Sequence, residues 1–339
     1  MKLDGLITKG VGGLYTVLTI PAAPGLDTLP DAAEGITYLC RARGHFRYKG
    51  ISPTVGDNVT VLIGEDANTA DTADSNEKKP RPHQRKTEKD VDGVIDEIRG
   101  RRNLLIRPPM ANLDMMFAVI PTCRPAPDLG SVDKMLSIAE HADINAAVII
   151  TKCELDRDAA DAVADIYRRA GYEVFPVSSY TGEGVDALRD FIAGLGTGSH
   201  VITAFAGASG AGKSTLLNRL YPSLSLGTGE LSRKISRGRQ TTRHVELYPA
   251  GSGVFVADTP GFSLLDFERF DFFSVEALPF TFREFEPYHG KCRYTKCTHI
   301  REDGCAIIEA VDSGVIPRER HESYRALYDI LKDKHPWDK

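Results

Sequence analysis

One short segment of the 339-residue chain is rich in glycine and also contains a lysine and hydroxyl-bearing residues. Its pattern is G-x-x-x-x-G-K-S, and with the next residue it comprises Gly207, Ala208, Ser209, Gly210, Ala211, Gly212, Lys213, Ser214 and Thr215. Glycines let backbone N–H groups converge on an anion, and a lysine adds positive charge for outer phosphate oxygens. A serine hydroxyl at the end of such a loop is a typical Mg²⁺ ligand. The pattern therefore predicts a phosphate loop in which Lys213 binds phosphate and Ser214 binds Mg²⁺.

A second pattern downstream could complete this site. Asp258-Thr259-Pro260-Gly261 matches D-x-x-G, in which the aspartate lies near Mg²⁺ and the glycine N–H near the γ-phosphate. Between the two patterns is a polar segment where we expect Thr242, in preference to Thr241, to complete the Mg²⁺ shell. Phe262 follows D-x-x-G where a water-orienting glutamine is common, so we expect Gln240 to orient the attacking water. A plain polar loop is the alternative for this segment.

Residues that could read a nucleotide base come before the phosphate loop. Thr151-Lys152-Cys153-Glu154 ends an apolar run and is similar to the guanine-reading pattern N/T-K-x-D. A carboxylate accepts hydrogen bonds from guanine N1–H and the exocyclic amine, whereas adenine presents the opposite pattern. We expect Glu154 to select guanine, Lys152 to lie along the base or ribose, and Ser178-Ser179 to bring a backbone N–H to guanine O6. Because Thr151 and Glu154 replace the usual asparagine and aspartate, a phosphate loop that uses ATP instead of GTP is an open alternative.

The order of these motifs predicts a rearranged chain. In ordinary GTPases the phosphate loop comes first, and here it follows the base-reading segment. This order indicates a circularly permuted GTPase. Around the motifs, apolar segments alternate with helical stripes from about residue 111, which predicts a doubly wound α/β domain with a mostly parallel sheet.

Metal-binding residue types cluster late in the chain: Cys292, Cys297, His299 and Cys305. Their spacing is C-x4-C-x-H-x5-C, and three thiolates with one imidazole suit tetrahedral Zn²⁺ without an open position. One structural zinc ion is therefore predicted, with free cysteines or a disulfide plus one spare thiol as alternatives. The other cysteines, Cys40, Cys123 and Cys153, are scattered and are expected to be packing residues.

Composition sets broad limits. A length of 339 residues with 42% hydrophobic content suits two or three domains with a sizeable core. The net charge of −5 argues against a generally basic protein but allows local basic patches. The N-terminus has no signal-peptide pattern, and no stretch approaches the roughly 20 apolar residues of a membrane span, so no membrane association is expected. The small number of cysteines favours the reducing cytoplasm.

Local patterning predicts three domains. Residues 1–108 contain short β-segments separated by glycine and proline, which favours a small all-β barrel, and residues 65–90 lack apolar periodicity and are expected to form a mobile loop. Residues 109–270 form the predicted α/β P-loop domain. Residues 271–339 form a mostly helical zinc-binding domain, and the apolar face of its last helix comprises Tyr324, Leu327, Tyr328 and Leu331.

Two basic segments predict contact with RNA. The first, between residues 231 and 245, has five basic and no acidic residues: Arg233, Lys234, Arg237, Arg239 and Arg243. The second lies in the predicted barrel and interleaves basic with aromatic side chains: Arg41, Arg43, Phe46, Arg47, Tyr48 and Lys49. Positive charge attracts phosphates and aromatic rings can stack on bases. A solvated face is the alternative for each segment.

The combined motifs resemble the ribosome small-subunit-dependent GTPase family (RsgA, also called YjeQ). The resemblance rests on TKCE, the phosphate loop, DTPGF and C-x4-C-x-H-x5-C, and extends to residues 38–44 and 107–114. It implies an OB-fold barrel, a permuted GTPase domain and a zinc domain. It also implies rRNA binding, Mg²⁺ with GTP or GDP, and hydrolysis stimulated by the small (30S) ribosomal subunit during its late maturation. We expect a cytoplasmic protein, monomeric off the ribosome; an RNA-binding assembly protein with a vestigial or ATP-using loop is the alternative.

Overall fold

The computed structural model describes residues 1–19, 35–48, 50–64, 91–195, 200–222, 245–251, 253–258 and 272–334. The chain divides into two compact units. The first comprises Met1–Leu113, Gly196–Thr203 and Gly238–Pro260, and the second comprises Asp114–Leu195, Ala204–Arg237 and Gly261–Lys339. Several predicted features lie outside the described residues: the 65–90 loop, the basic residues from Arg233 to Arg243, Gln240, Thr241, Thr242 and Gly261.

Five strands of the first unit close into a barrel. They are β1 (Lys2–Val11), β2 (Leu14–Thr19), β3 (Ile36–Ala42), β4 (Asn58–Ile63) and β5 (Gly93–Ile98). Each strand pairs with its neighbour in the order β1-β2-β3-β5-β4, and β4 pairs back onto β1. All pairs are antiparallel except β3 with β5. Closure leaves no free strand edge, and the predicted small OB-like barrel is confirmed.

Short elements complete the barrel region. Helix α1 (His45–Tyr48) follows β3, and β6 (Leu104–Ile106) pairs with β7 (Pro109–Ala111) as a separate hairpin. Gly56 lies against this hairpin at φ +90°, and a Cβ added there would be only 2.0 Å from the Ala111 carbonyl oxygen. A glycine is therefore required where the backbones approach.

The second unit contains a parallel sheet covered by helices. The strands lie in the order β10 (Glu173–Val177), β9 (Asn145–Thr151), β8 (Met115–Pro121) and β11 (Val201–Gly207), and the part of β11 from Ala204 onward belongs to this unit. The pairs β8–β9 and β9–β10 are parallel, and β8 and β11 are buried throughout. The helices are α2 (Leu129–His141), α3 (Arg157–Arg169), α4 (Val185–Gly194) and α5 (Lys213–Leu220). Continuous apolar strands between helical patterns are typical of such a sheet, so the predicted α/β architecture is confirmed.

Two further strands belong to the first unit. β12 (Glu246–Gly251) and β13 (Val254–Asp258) form an antiparallel pair, as the apolar runs predict. β12 also pairs with barrel strand β1 where Lys9 lies opposite Glu246, and the Lys9 Nζ to Glu246 Oε2 distance is 2.8 Å. The barrel and this hairpin therefore share one continuous β-structure within the unit.

The C-terminal part of the second unit is helical. It contains the 3-10 turns Leu278–Thr281 and Arg283–Tyr288, followed by α6 (Ala306–Asp312) and α7 (Arg318–Leu331). Tyr324, Leu327 and Leu331 on α7 are buried, as predicted, whereas Tyr328 is half-buried. None of the helices in the described part of the chain is both long and apolar enough to cross a membrane.

Candidate functional site

The phosphate loop lies between β11 and α5, in the strand-loop-helix context that its sequence pattern requires. Gly207 approaches β8 so closely that an added Cβ would be 2.2 Å from the Val119 carbonyl oxygen. Gly210 and Gly212 have φ values of +78° and +90°, in the region that favours glycine. The backbone therefore wraps tightly and delivers the chain to the N-terminus of α5, where free N–H groups favour an anion.

Lys213 lies across this loop. Its Nζ donates hydrogen bonds to the carbonyl oxygens of Gly207 and Ala208, each at 2.8 Å. Burial lowers the pKa of Lys213 because the charged ammonium is partly removed from water. Ala208, Ser209 and Gly210 at the tip are exposed. The loop is thus already curved around its own lysine, with its tip open to a ligand.

The upstream segment that the sequence predicts to read the base contacts the phosphate loop directly. Thr151 is buried at the end of β9, and its hydroxyl donates to the Ala211 carbonyl oxygen at 2.5 Å. Lys152 has a left-handed backbone, with φ +61°, and its Nζ donates to the Gly210 carbonyl oxygen at 2.9 Å. The same Nζ donates to the Arg124 carbonyl oxygen at 2.5 Å. Two segments that are far apart in sequence are therefore hydrogen-bonded to each other.

The other residues predicted to read the base follow strands β9 and β10. Glu154 is exposed, and Ser178 is buried at the end of β10 while Ser179 is half-buried. The Ser178 N–H donates to the Glu183 carbonyl oxygen at 2.9 Å, and the Ser178 hydroxyl oxygen accepts from the Thr181 N–H at 3.0 Å. These bonds close a tight turn after β10. Parallel strands β9 and β10 thus end with the two segments that the sequence predicts to face the base.

The D-x-x-G pattern is only partly described. Asp258 is the last residue of β13, and its backbone is defined. Gly261 and the candidate first-switch residues Gln240 and Thr242 lie outside the described part of the chain. Their roles remain predictions.

The four predicted zinc ligands come together in the second unit. Their ligand atoms all lie within 4.8 Å of one another. Cys292 Sγ is 3.9 Å from Cys305 Sγ, and His299 Nδ1 is 3.6 Å and 3.4 Å from these two sulfurs. A tetrahedral zinc ion with ordinary bond lengths requires about 3.8 Å between sulfurs and about 3.5 Å between sulfur and nitrogen. The Cys₃His cluster can therefore hold a zinc ion, and since all six cysteines are free, the disulfide alternative is excluded.

Residues outside the motif support the loop that carries these ligands. Glu302 accepts hydrogen bonds from the N–H groups of Thr298, Ile300 and Arg301 and from the Thr298 hydroxyl. Burial opposes ionisation of this carboxyl, but the Thr298 side chain and the backbone donors outweigh it and lower the pKa of Glu302 to about 2. The sequence offered no signal for this role, because a glutamate inside a metal loop is also a common solvated residue.

Helix α7 supports the same loop from the other side. His321 Nε2 donates to the His299 carbonyl oxygen at 2.7 Å, and the Tyr324 hydroxyl donates to the Thr298 carbonyl oxygen at 2.8 Å. His299 itself has a left-handed backbone, with φ +61°. The predicted metal ligand His299 is therefore held at its backbone by α7.

Tyr48, on α1 beside the barrel, has a ring that is available for stacking. Tyr48 is 91% exposed, whereas Phe46 is only 6% exposed and packs against His45 with ring centroids 4.1 Å apart. The Arg43 guanidinium is 2.6 Å from the Asp96 carboxylate. Phe46 and Arg43 thus have structural contacts that the sequence pattern did not indicate. Arg47's side chain and Lys49 lie outside what the structure describes.

Comparisons with known proteins show which family this chain resembles. The family model described as RsgA GTPase matches residues 98–268, and the RsgA N-terminal domain model matches residues 4–70. A "Small ribosomal subunit biogenesis GTPase RsgA" of Caldanaerobacter subterraneus is 36% identical over 98% of this chain and 97% of the relative. A protein of the same name from Geobacillus is 36% identical over 98% and 99% of the two chains.

Solved structures show the same architecture. The crystal structure of YloQ, described as a circularly permuted GTPase, matches with a TM-score of 0.68 and 31% identity over 99% of this chain and 97% of that chain. The crystal structure of YjeQ from Thermotoga maritima matches with a TM-score of 0.71 and 26% identity over 99% and 100%.

The fold and the order of the motifs define a circularly permuted P-loop GTPase, which hydrolyses GTP. The sequence identity to relatives extends over nearly the whole chain, which shows the family. The protein belongs to the RsgA GTPase family. Membership in this family implies Mg²⁺ with the bound nucleotide, and the Cys₃His cluster suits one zinc ion.

Proposed function

We propose that this protein binds the small ribosomal subunit during its maturation and hydrolyses GTP there, with hydrolysis stimulated by the subunit and its rRNA. The printed names of full-length relatives support this role. The observation that carries the nucleotide part is the contact of Thr151 and Lys152 with the carbonyl groups of the phosphate loop. Because base-reading and phosphate-binding segments meet, one nucleotide can engage both.

Individual residues are proposed to bind the nucleotide, the Mg²⁺ ion or the attacking water. The proposed nucleotide contacts are Gly207, Ala208, Ser209, Gly210, Ala211, Gly212, Lys213, Ser214, Thr215, Thr151, Lys152, Glu154, Ser178 and Ser179. Ser214, Thr242 and Asp258 would hold Mg²⁺, which neutralises phosphate charge, and the Gly261 N–H would meet the γ-phosphate. Gln240 would orient the attacking water once RNA has ordered its segment.

The proposed organisation has three domains that serve different ligands. Residues 1–108 would bind rRNA through the barrel, residues 109–270 would bind GTP or GDP, and residues 271–339 would bind zinc. The exposed ring of Tyr48 supports the first assignment, because an exposed aromatic side chain can stack on an unpaired base. We further propose a cytoplasmic protein, without a membrane partner, that is monomeric off the ribosome.

The decisive experiment measures hydrolysis of GTP and of ATP with and without purified small subunits. We expect slow GTP hydrolysis alone, a rise of at least about tenfold with subunits, and little ATP hydrolysis. Equal use of ATP would contradict the guanine assignment. An absence of stimulation by intact subunits would contradict the ribosomal role.

Two variants separate the proposal from a vestigial site. Lys213→Ala should abolish both hydrolysis and complementation in cells that lack the protein, because it removes the phosphate-binding charge. Complementation by Lys213→Ala would support an assembly protein that does not need its nucleotide. Gln240→Ala should lower single-turnover hydrolysis only with subunits present, and an unchanged rate would exclude the water-orienting role.

A further inference from the structure

Helix α7 contacts two different parts of the second unit. His321 and Tyr324 donate hydrogen bonds to the backbone of the zinc loop, at the His299 and Thr298 carbonyl oxygens. Arg320, adjacent to His321 in sequence, instead contacts acidic residues outside the zinc loop. One helix thus joins the metal cluster to a second group of charges.

That second group, the Arg320 ion cluster, consists of Arg320, Asp133 and Glu284. Arg320 is 0% exposed, and its Nη1 is 2.5 Å from Asp133 Oδ1 on α2 while its Nε is 2.6 Å from Glu284 Oε1. Burial opposes the charge on the guanidinium, but the two carboxylates outweigh it and raise the pKa of Arg320. Loss of Arg320 would leave two buried carboxylates without their cation, so the cluster ties α7 firmly to α2.

The chain before α2 reaches the phosphate loop. The Arg124 carbonyl oxygen accepts the Lys152 Nζ hydrogen bond, and the same Nζ is bonded to the Gly210 carbonyl oxygen. Pro125 lies beside Gly210, since a Cβ added to this glycine would be 3.5 Å from Pro125 Cδ. Asp128 then caps α2 by accepting from the Ser131 N–H at 3.1 Å. A displacement of α2 would therefore disturb the support of the phosphate loop.

We propose that Arg320 couples the zinc cluster to the nucleotide pocket, so that zinc occupancy raises the affinity for guanine nucleotide. Zinc fixes the Thr298–His299 backbone, this backbone positions α7, and Arg320 positions α2 through Asp133. The phosphate loop is then held by the segment before α2. This inference rests on the proposed binding of guanine nucleotide at the phosphate loop. Arg320 acts here as a positioning residue and touches neither ligand.

The test measures the dissociation constant of a fluorescent GDP analogue in full-length protein, zinc-loaded and after treatment with a zinc chelator. In the wild-type protein we expect chelation to weaken GDP binding about fivefold or more. In Arg320→Met, zinc-loaded and chelated protein should bind GDP with the same affinity, near that of the chelated wild type. If Arg320 had a purely structural role, Arg320→Met would lower the affinity for GDP but preserve the ratio of the dissociation constants of chelated and zinc-loaded protein.

Matched variants keep the outcome clear. Arg325→Met removes an exposed arginine from the same helix and should retain the wild-type ratio. If Arg320→Met fails to fold, Asp133→Asn provides a second variant, which keeps the side-chain volume and removes the partner charge. Its chelated and zinc-loaded forms should also bind GDP with the same affinity. The proposal is overturned if chelation leaves the GDP affinity of the wild-type protein unchanged. It is also overturned if chelation weakens GDP binding by a folded Arg320→Met or Asp133→Asn protein as much as it does in the wild type. Failure of zinc-loaded wild type to bind GDP contradicts the proposed nucleotide site, and this inference with it.

Discussion

The phosphate loop and the zinc loop are both short loops in the second unit, but different parts of the chain supply their binding atoms. The phosphate loop offers backbone N–H groups whose positions depend on glycine conformation at Gly207, Gly210 and Gly212. The zinc loop offers side chains, from three cysteines and one histidine. The first therefore needs a correct backbone, whereas the second also needs a metal ion to hold its ligands together.

The residues that support the two loops also differ in how far they lie from their loop along the chain. The phosphate loop is held by Thr151 and Lys152, which precede it by a large separation in the chain. The zinc loop is held mainly from within, by Glu302, and from α7 by His321 and Tyr324. A phosphate site built this way depends on the whole α/β sheet, whereas the zinc site depends on a local turn and one helix.

The largest expected effect comes from Gly207→Ala. Its Cβ would be 2.2 Å from the Val119 carbonyl oxygen, and the residue has φ +155°, so β11 must shift away from β8. We expect the free energy of unfolding, measured by urea denaturation, to fall by about 3 kcal/mol. Gly194→Ala is the control, since no atom lies within 4 Å of its added Cβ. Equal stability of the two variants would show that the loop tolerates backbone movement.

Thr151→Val tests the distant support of the phosphate loop. Valine has nearly the same shape but leaves the Ala211 carbonyl oxygen without its 2.5 Å hydrogen bond. A lost buried hydrogen bond costs about 1–3 kcal/mol, so we expect GDP affinity by titration to fall about tenfold. Thr37→Val, at an exposed position of β3, should leave GDP affinity unchanged. Unchanged GDP binding in Thr151→Val would remove the contrast between distant and local support.

Glu302→Gln tests the local support of the zinc loop. The amide keeps the size of the side chain but loses charge and one acceptor, so the turn from Thr298 to Arg301 is held less tightly. We expect zinc affinity, measured by competition with a chelator, to fall about tenfold while GDP binding in saturating zinc persists. Glu309→Gln, on an exposed position of α6, is the matched control. Wild-type zinc affinity in Glu302→Gln would mean that α7 alone supports the loop.

The smallest effect is expected at the carboxylate that we propose to read the base. Glu154 is exposed, and Glu154→Asp keeps the acceptor while shortening the side chain. Aspartate loses less rotamer entropy when it binds guanine, so GTP affinity should rise by less than about fivefold, with discrimination against ATP retained. Glu173→Asp at the exposed start of β10 should leave both affinities unchanged. Loss of discrimination in Glu154→Asp would contradict the assignment of this carboxylate.

The sequence motifs located the phosphate loop and the zinc loop, whereas no motif indicated the residues that support these loops. G-x-x-x-x-G-K-S and C-x4-C-x-H-x5-C carry their chemistry in consecutive residues, so spacing alone indicates a site. Arg124 and Glu302 act through backbone atoms or ordinary charges, which no spacing rule distinguishes from surface residues. Phe46 shows the reverse error, because an aromatic residue among basic ones is here part of the core.

Local residue order determined the elements of this protein: alternating apolar runs specify the strands, glycines specify the phosphate loop, and the motif order specifies a permuted chain. Only the tertiary structure decided that Thr151 braces the phosphate loop and that Arg320 lies buried between Asp133 and Glu284. The reason is physical. Conformational preference acts between near neighbours in sequence, whereas burial of a charge or hydroxyl depends on which distant segments pack around it.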